Sequence, residues 1–88
     1  MESHALYYSQ LCYFCQKVFK HLHGRQTSIE ARDVHDAKHS RDLMKGGGKG
    51  QVPCLRIERE TSQGKTQVQW LYESDDIIAY IEKNKLVE

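Results

Sequence analysis

The sequence predicts an α/β fold, a four-stranded mixed sheet flanked by three helices in the order β-α-β-α-β-β-α. Three observations carry that prediction. A short apolar run near the start leads into residues whose apolar positions recur at helical spacing. Two strand-like segments separated by the turn residues "TSQGK" read as a hairpin. A last segment carries Ile77, Ile78 and Ile81 on one helical face. Strands alternating with helices imply parallel pairing with a right-handed crossover in the first half, and the hairpin adds antiparallel strands.

In chain order, "ALYY" at 5–8 is an apolar run long enough for a buried strand. From Tyr13 to His23, Phe14, Val18, Phe19 and Leu22 fall at helical intervals, and Gly24 is a natural stop. "TSIEARDV" at 27–34 reads as a strand through its β-branched residues. Residues 36–45 hold good helix formers, and the glycines of "GGGKG" at 46–50 are expected to end that helix. "QVPCLRIER" at 51–59 and "TQVQWLY" at 66–72 are the hairpin strands. The final helix is expected over 75–84, with Ser74 as its N-cap and Asp75 and Asp76 in the first turn, where the helix dipole favours carboxylates.

A chain of 88 residues is expected to form a single domain over 1–88, and 39% apolar residues suffice for one core. Thirteen Lys and Arg against twelve Asp and Glu leave a formal charge of +1, scattered along the chain. That balance argues against a nucleic-acid binder. No apolar run approaches the roughly 20 residues of a membrane span, and the start lacks the pattern of a secretory signal. The expected address is the cytoplasm. An odd count of three cysteines does not suit a disulfide-stapled secreted domain.

The chemistry concentrates at Cys12 and Cys15, between the first strand and the first helix. A Cys-x-x-Cys beside a βαβ pattern reads as a thioredoxin-like redox motif. Cys12 falls at the helix start, where the unpaired N–H groups of Phe14 and Cys15 and the positive dipole end favour a thiolate. Cys12 is thus the candidate nucleophile. Cys15, about one turn on and less exposed, is the candidate for resolving a mixed disulfide. The alternatives are two structural core cysteines and a zinc site. Zinc wants four ligands, the nearby second pair is His21 and His23, and only five residues separate Cys15 from His21, against roughly 12 in a finger.

Pro53, the one proline, stands at the start of a strand, where it need not donate to a ladder. A cis bond after Val52 is the sharper reading, because it would turn the Val52 backbone toward a bound, strand-like thiol peptide. Cys54, between apolar neighbours, reads as a small buried residue rather than a third redox thiol. "GGGKG" lacks the preceding strand and following Lys-Ser/Thr helix of a phosphate loop. His21 and His23 are placed at a solvated helix end, Tyr7 and Tyr8 in a strand, and Trp70 in hairpin packing.

"YYSQLCYFC", "GQVPCL" and "ESDDIIAYI", in that order, resemble a glutaredoxin over nearly the whole chain. The second and third blocks look most like glutaredoxins that share features with glutathione transferase N-terminal domains. The resemblance implies a thioredoxin-like fold and glutathione-dependent thiol–disulfide exchange. It assigns attack to Cys12 and resolution to Cys15, and makes Tyr13 and Phe14 line the groove. Val52, with Pro53 in cis, would pair with the cysteinyl part of glutathione, and Glu73 and Ser74 would hold its γ-glutamyl end. A helix N-terminus with a hydroxyl suits a carboxylate and Glu73 suits an ammonium, independently of the resemblance. Two positions depart from the family pattern. Tyr13 replaces a usual proline, and Ser9, Gln10 and Leu11 stand where many relatives carry a lysine. Lys49 is the candidate substitute for that lysine. The expected partners are glutathione as co-substrate and disulfide-containing or glutathionylated proteins, with no prosthetic group and a monomeric state. The alternative is a glutathione-ligated [2Fe–2S] carrier, which visible absorbance of anaerobically purified protein would reveal. A transferase-like or redox-regulated interaction module is the third reading.

Overall fold

The computed structural model describes residues 2–87. Its elements are β1 (Glu2–Tyr8), α1 (Tyr13–Leu22), β2 (Glu30–Asp33), α2 (Ala37–Gly47), β3 (Cys54–Glu60), β4 (Thr66–Tyr72) and α3 (Ser74–Lys83). The order is the one expected. The sheet runs β2-β1-β3-β4, with β2 parallel to β1 and the other two pairings antiparallel.

Alternation of side chains along the central strands builds two apolar layers. Leu6, Leu55 and Ile57 point one way and pack with Val18 of α1 and Ile77 and Ile81 of α3. Ala5, Tyr7 and Cys54 point the other way and pack with Leu43 of α2. Leu6 stands opposite Leu55 across the β1–β3 ladder, at the middle of the larger layer.

Several boundaries differ from the sequence reading, and the larger differences have physical reasons. β1 starts at Glu2 because its polar first residues still pair with β3, Glu2 opposite Arg59. β2 starts at Glu30, since Thr27 instead bridges Val87 and its hydroxyl donates to the Leu86 carbonyl at 2.9 Å. β3 starts at Cys54, just past the proline. The largest difference is α2, which runs through Gly46 and Gly47 and ends at Gly48, whose φ of 82° is the left-handed stop. Glycines there serve proximity. A Cβ on Gly46 would overlap the Trp70 indole, and one on Gly47 would overlap the Tyr72 hydroxyl. Gly46→Ala is accordingly expected to destabilise by up to about 2 kcal/mol. Overpacking of roughly 1–3 kcal/mol outweighs the roughly 1 kcal/mol that alanine gains in a helix. Urea denaturation checks this, and an unchanged or raised midpoint would contradict it.

Ser74 does not cap α3. It is the first helical residue, 6% exposed, while the N-cap position belongs to Glu73, whose side chain makes no capping bond. Glu73 has φ of 72°, unusual for a residue with a side chain. That turn starts the helix one residue early and carries Ser74 inward. Such backbone costs roughly 1–3 kcal/mol, more than the roughly 0.5–1 kcal/mol of chain entropy that glycine adds. Glu73→Gly is therefore expected to raise the thermal midpoint.

Candidate active site

β1 ends at Tyr8, β3 begins at Cys54 opposite Tyr7, and β4 ends at Tyr72 opposite Cys54. The segments 9–12, 48–53 and 73–74 therefore leave or enter the sheet at one end. All three sequence blocks that resemble a glutaredoxin gather there by topology.

Cys12 is the N-cap of α1, with extended backbone, and its carbonyl accepts the first helical bond from the Gln16 N–H at 3.1 Å. Of the two N–H groups expected to face its sulfur, that of Cys15 does so, at 3.3 Å. The Cys12 thiol in turn donates to the Val52 carbonyl at 3.6 Å. These bonds act in opposite senses, since the amide favours a thiolate and the carbonyl a thiol. They also place the sulfur against the Val52–Pro53 peptide, which is cis.

Three residues not singled out for a role in the sequence hold this turn. The Ser9 carbonyl accepts from the Cys12 N–H at 3.1 Å, and the Ser9 hydroxyl accepts from the Leu11 N–H at 3.2 Å. The Ser9 hydroxyl also lies 3.2 Å from His35 Nε2, which ties the turn to the segment after β2. Gln16 Nε2 donates to the Gln10 carbonyl at 3.3 Å. A serine three residues before the first cysteine is the only sequence signal for this bracing, and it is weak because serine is common in turns.

Cys12 is partly exposed while Cys15 is fully buried, the order of exposure expected from the sequence. Burial, helped by the bond between its thiol and Cys12, pushes the Cys15 thiol up to about 12. Cys54 is also fully buried, and desolvation pushes it up to about 11. Tyr13 and Phe14 are 77% and 56% exposed, packed edge-on at 5.4 Å between ring centroids. Lys17 pairs with Asp75, joining α1 to α3 beside Ser74. Lys49 sits with its ammonium 5.2 Å from the Tyr72 ring centroid, and its carbonyl accepts from the Tyr72 hydroxyl at 3.2 Å. His21 is not simply solvated, since Glu82 takes both His21 and Arg25. Among the described residues, no group of three or more His, Cys, Asp or Glu side chains could hold a metal ion. No described helix is long and apolar enough to cross a membrane.

A family model described as the glutathione S-transferase N-terminal domain matches residues 6–85, which include all the residues of this site. The chain belongs to the glutathione S-transferase N-terminal domain family. No curated protein matches it. The structure of this transferase N-terminal-type domain is similar to the solution structure of a thioredoxin from Thermus thermophilus. The TM-score is 0.62 at 12% identity, over 97% of this chain and 74% of that one. It is also similar to the crystal structure of the Trx4 domain of ERdj5, with a TM-score of 0.54 at 15% identity, over 96% of this chain and 79% of that one. These likenesses establish the thioredoxin-like fold. Transferase N-terminal family and thioredoxin fold together suggest a redox or glutathione-related role.

Proposed function

We propose that this domain is a glutathione-dependent thiol–disulfide oxidoreductase of glutaredoxin type, acting through Cys12. The observation that carries the proposal is the Cys12 sulfur at the α1 N-terminus, accepting the Cys15 N–H and lying against Val52. A partly exposed sulfur with a helix-terminal donor is suited to nucleophilic attack as a thiolate.

In the proposed cycle the Cys12 thiolate attacks the glutathione sulfur of a glutathionylated protein. The new S–S bond forms as the old one breaks, and the departing protein thiolate takes a proton. A glutathione thiolate then attacks the mixed disulfide on Cys12, releases oxidised glutathione and restores the thiolate. Glutathione supplies the electrons. Val52 would meet the cysteinyl backbone, Glu73 the ammonium and Ser74 the carboxylate of the γ-glutamyl end, with Tyr13 and Phe14 along the groove. Lys49, in the loop that leads to Val52 and Pro53, would leave the Tyr72 ring to serve the glycyl carboxylate. Glu73→Gly would then bind immobilised glutathione more weakly while folding more stably.

Cys15 is assigned the lesser share. Its thiol, pushed up to about 12, stays protonated at neutral pH and attacks slowly. The test is glutathione-coupled reduction of a small mixed disulfide by the wild type and Cys15→Ser. The wild type turns over and Cys15→Ser retains most of that turnover. A wild type without glutathione-coupled turnover would sink the proposal, and an inactive but folded Cys15→Ser would replace glutathione by Cys15 as the resolving thiol.

A further inference from the structure

The two edges of the sheet are unlike. β2 has four residues, of which Glu30, Arg32 and Asp33 are charged, and such short charged edges resist pairing. β4 has seven residues, "TQVQWLY", with no charge and no proline. Its register against β3 is unbroken from Thr66 to Tyr72, so no bulge bends it away. Thr66 to Gln69 are exposed, and Val68, 40% exposed, is among the few large apolar residues left on the surface.

The direction of the backbone groups follows from the hairpin. The Thr61 N–H donates to the Lys65 carbonyl at 2.7 Å, which makes Thr61 and Lys65 a hydrogen-bonded pair. Alternation then turns the N–H and C=O groups of Gln67, Gln69 and Leu71 toward β3, and those of Thr66, Val68 and Trp70 outward. Those outward groups form a ladder awaiting a strand.

We propose that β4 pairs antiparallel with β4 of a second copy of this chain about a two-fold axis at Val68. "QVQ" at 67–69 reads the same in both directions, so this register sets Gln67 opposite Gln69 of the second copy. At the axis, each Val68 N–H meets the Val68 carbonyl of the other copy, which is the reciprocal pair that the outward groups require. The side chains agree. Gln69 Oε1 already accepts from Arg59 at 3.0 Å, so its amide N–H groups are left to donate to Gln67 of the second copy. The two Val68 side chains meet on the other face. Two four-stranded sheets become one continuous sheet. The seam lies toward the 61–65 turn, at the far end of β4 from Cys12. A one-strand seam is small, so the pairing is weak and concentration-dependent. The monomer anticipated from the sequence is then the dilute form.

The test is sedimentation of the full chain with reductant present, from about 10 μM to about 1 mM, the range in which weak interfaces assemble. The wild-type mass climbs from one chain toward two. Val68→Lys and Val68→Glu, each alone, stay at one chain because like charges face each other across the axis. An equal mixture of the two variants regains association. Hydrogen exchange provides the second readout. The Val68 and Trp70 amides slow as concentration rises, while those of Gln67 and Gln69, already paired with β3, do not change. Three results would each overturn the proposal: a wild type that stays monomeric, leaving the edge for an extended segment of another protein; association undiminished in Val68→Lys; or concentration-dependent protection on β2 instead of β4.

Discussion

Cys12→Ser loses glutathione-coupled turnover by a factor on the order of 10³ or more, while the folded domain is as stable as the wild type or slightly more so. The two halves of that result have separate causes. A hydroxyl does not ionise near neutral pH, so the attacking anion disappears. The N-cap role survives, because serine is among the best capping residues and its oxygen can accept the Cys15 N–H that the sulfur now accepts at 3.3 Å. Loss of activity with an unchanged denaturation midpoint therefore identifies Cys12 as the reacting group rather than a structural one. The measurement is turnover and urea denaturation on the same preparation. An active Cys12→Ser protein would remove the proposed chemistry, and a folding defect would remove the simple account of the cap.

Leu55→Ala gives the largest loss of stability. Leu55 is fully buried on the central strand β3, faces Leu6 on β1, and belongs to the layer shared with α1 and α3. Truncating such a residue costs roughly 2–5 kcal/mol through lost transfer energy and the cavity left behind. Total stability of a small domain is about 5–15 kcal/mol, and a chain this short is expected near the lower end. The variant is thus expected to lose a large part of its folding free energy. Circular dichroism during urea titration should show a lowered midpoint with an unchanged slope. A shift below about 1 kcal/mol would mean that the layer collapses around the gap.

What the sequence revealed and what it concealed follow from the range of the forces involved. β4 was legible to its bounds, since turn residues precede it and Glu73-Ser74 close it. The order of elements was legible too, and with it the gathering of Cys12, Val52, Pro53, Glu73 and Ser74 at one end of the sheet. The last turn of α2 was not. Intrinsic propensity places Gly46 and Gly47 outside a helix, and only the rings of Trp70 and Tyr72, more than twenty residues later, show why glycine is needed inside one. Ser74 failed as a cap for a related reason. A good capping residue preceded a good helix, but the unusual turn at Glu73 shifted the start by one position. The brace from Ser9 to His35 was hidden because contacts between distant polar residues leave no local pattern. The isomer at Val52–Pro53, cis in the structure, is not written in the sequence, as both isomers share the same letters.

The chain has a single tryptophan, Trp70, and its indole lies under Gly46 of α2, 5.6 Å from the Tyr7 ring and beneath the Arg56 guanidinium. Its emission is therefore a native optical label for the face of the sheet on which α2 docks, opposite the layer that holds α1 and α3. In stopped-flow refolding, a tryptophan signal that lags behind the far-ultraviolet signal would time the packing of that face without any dye attached.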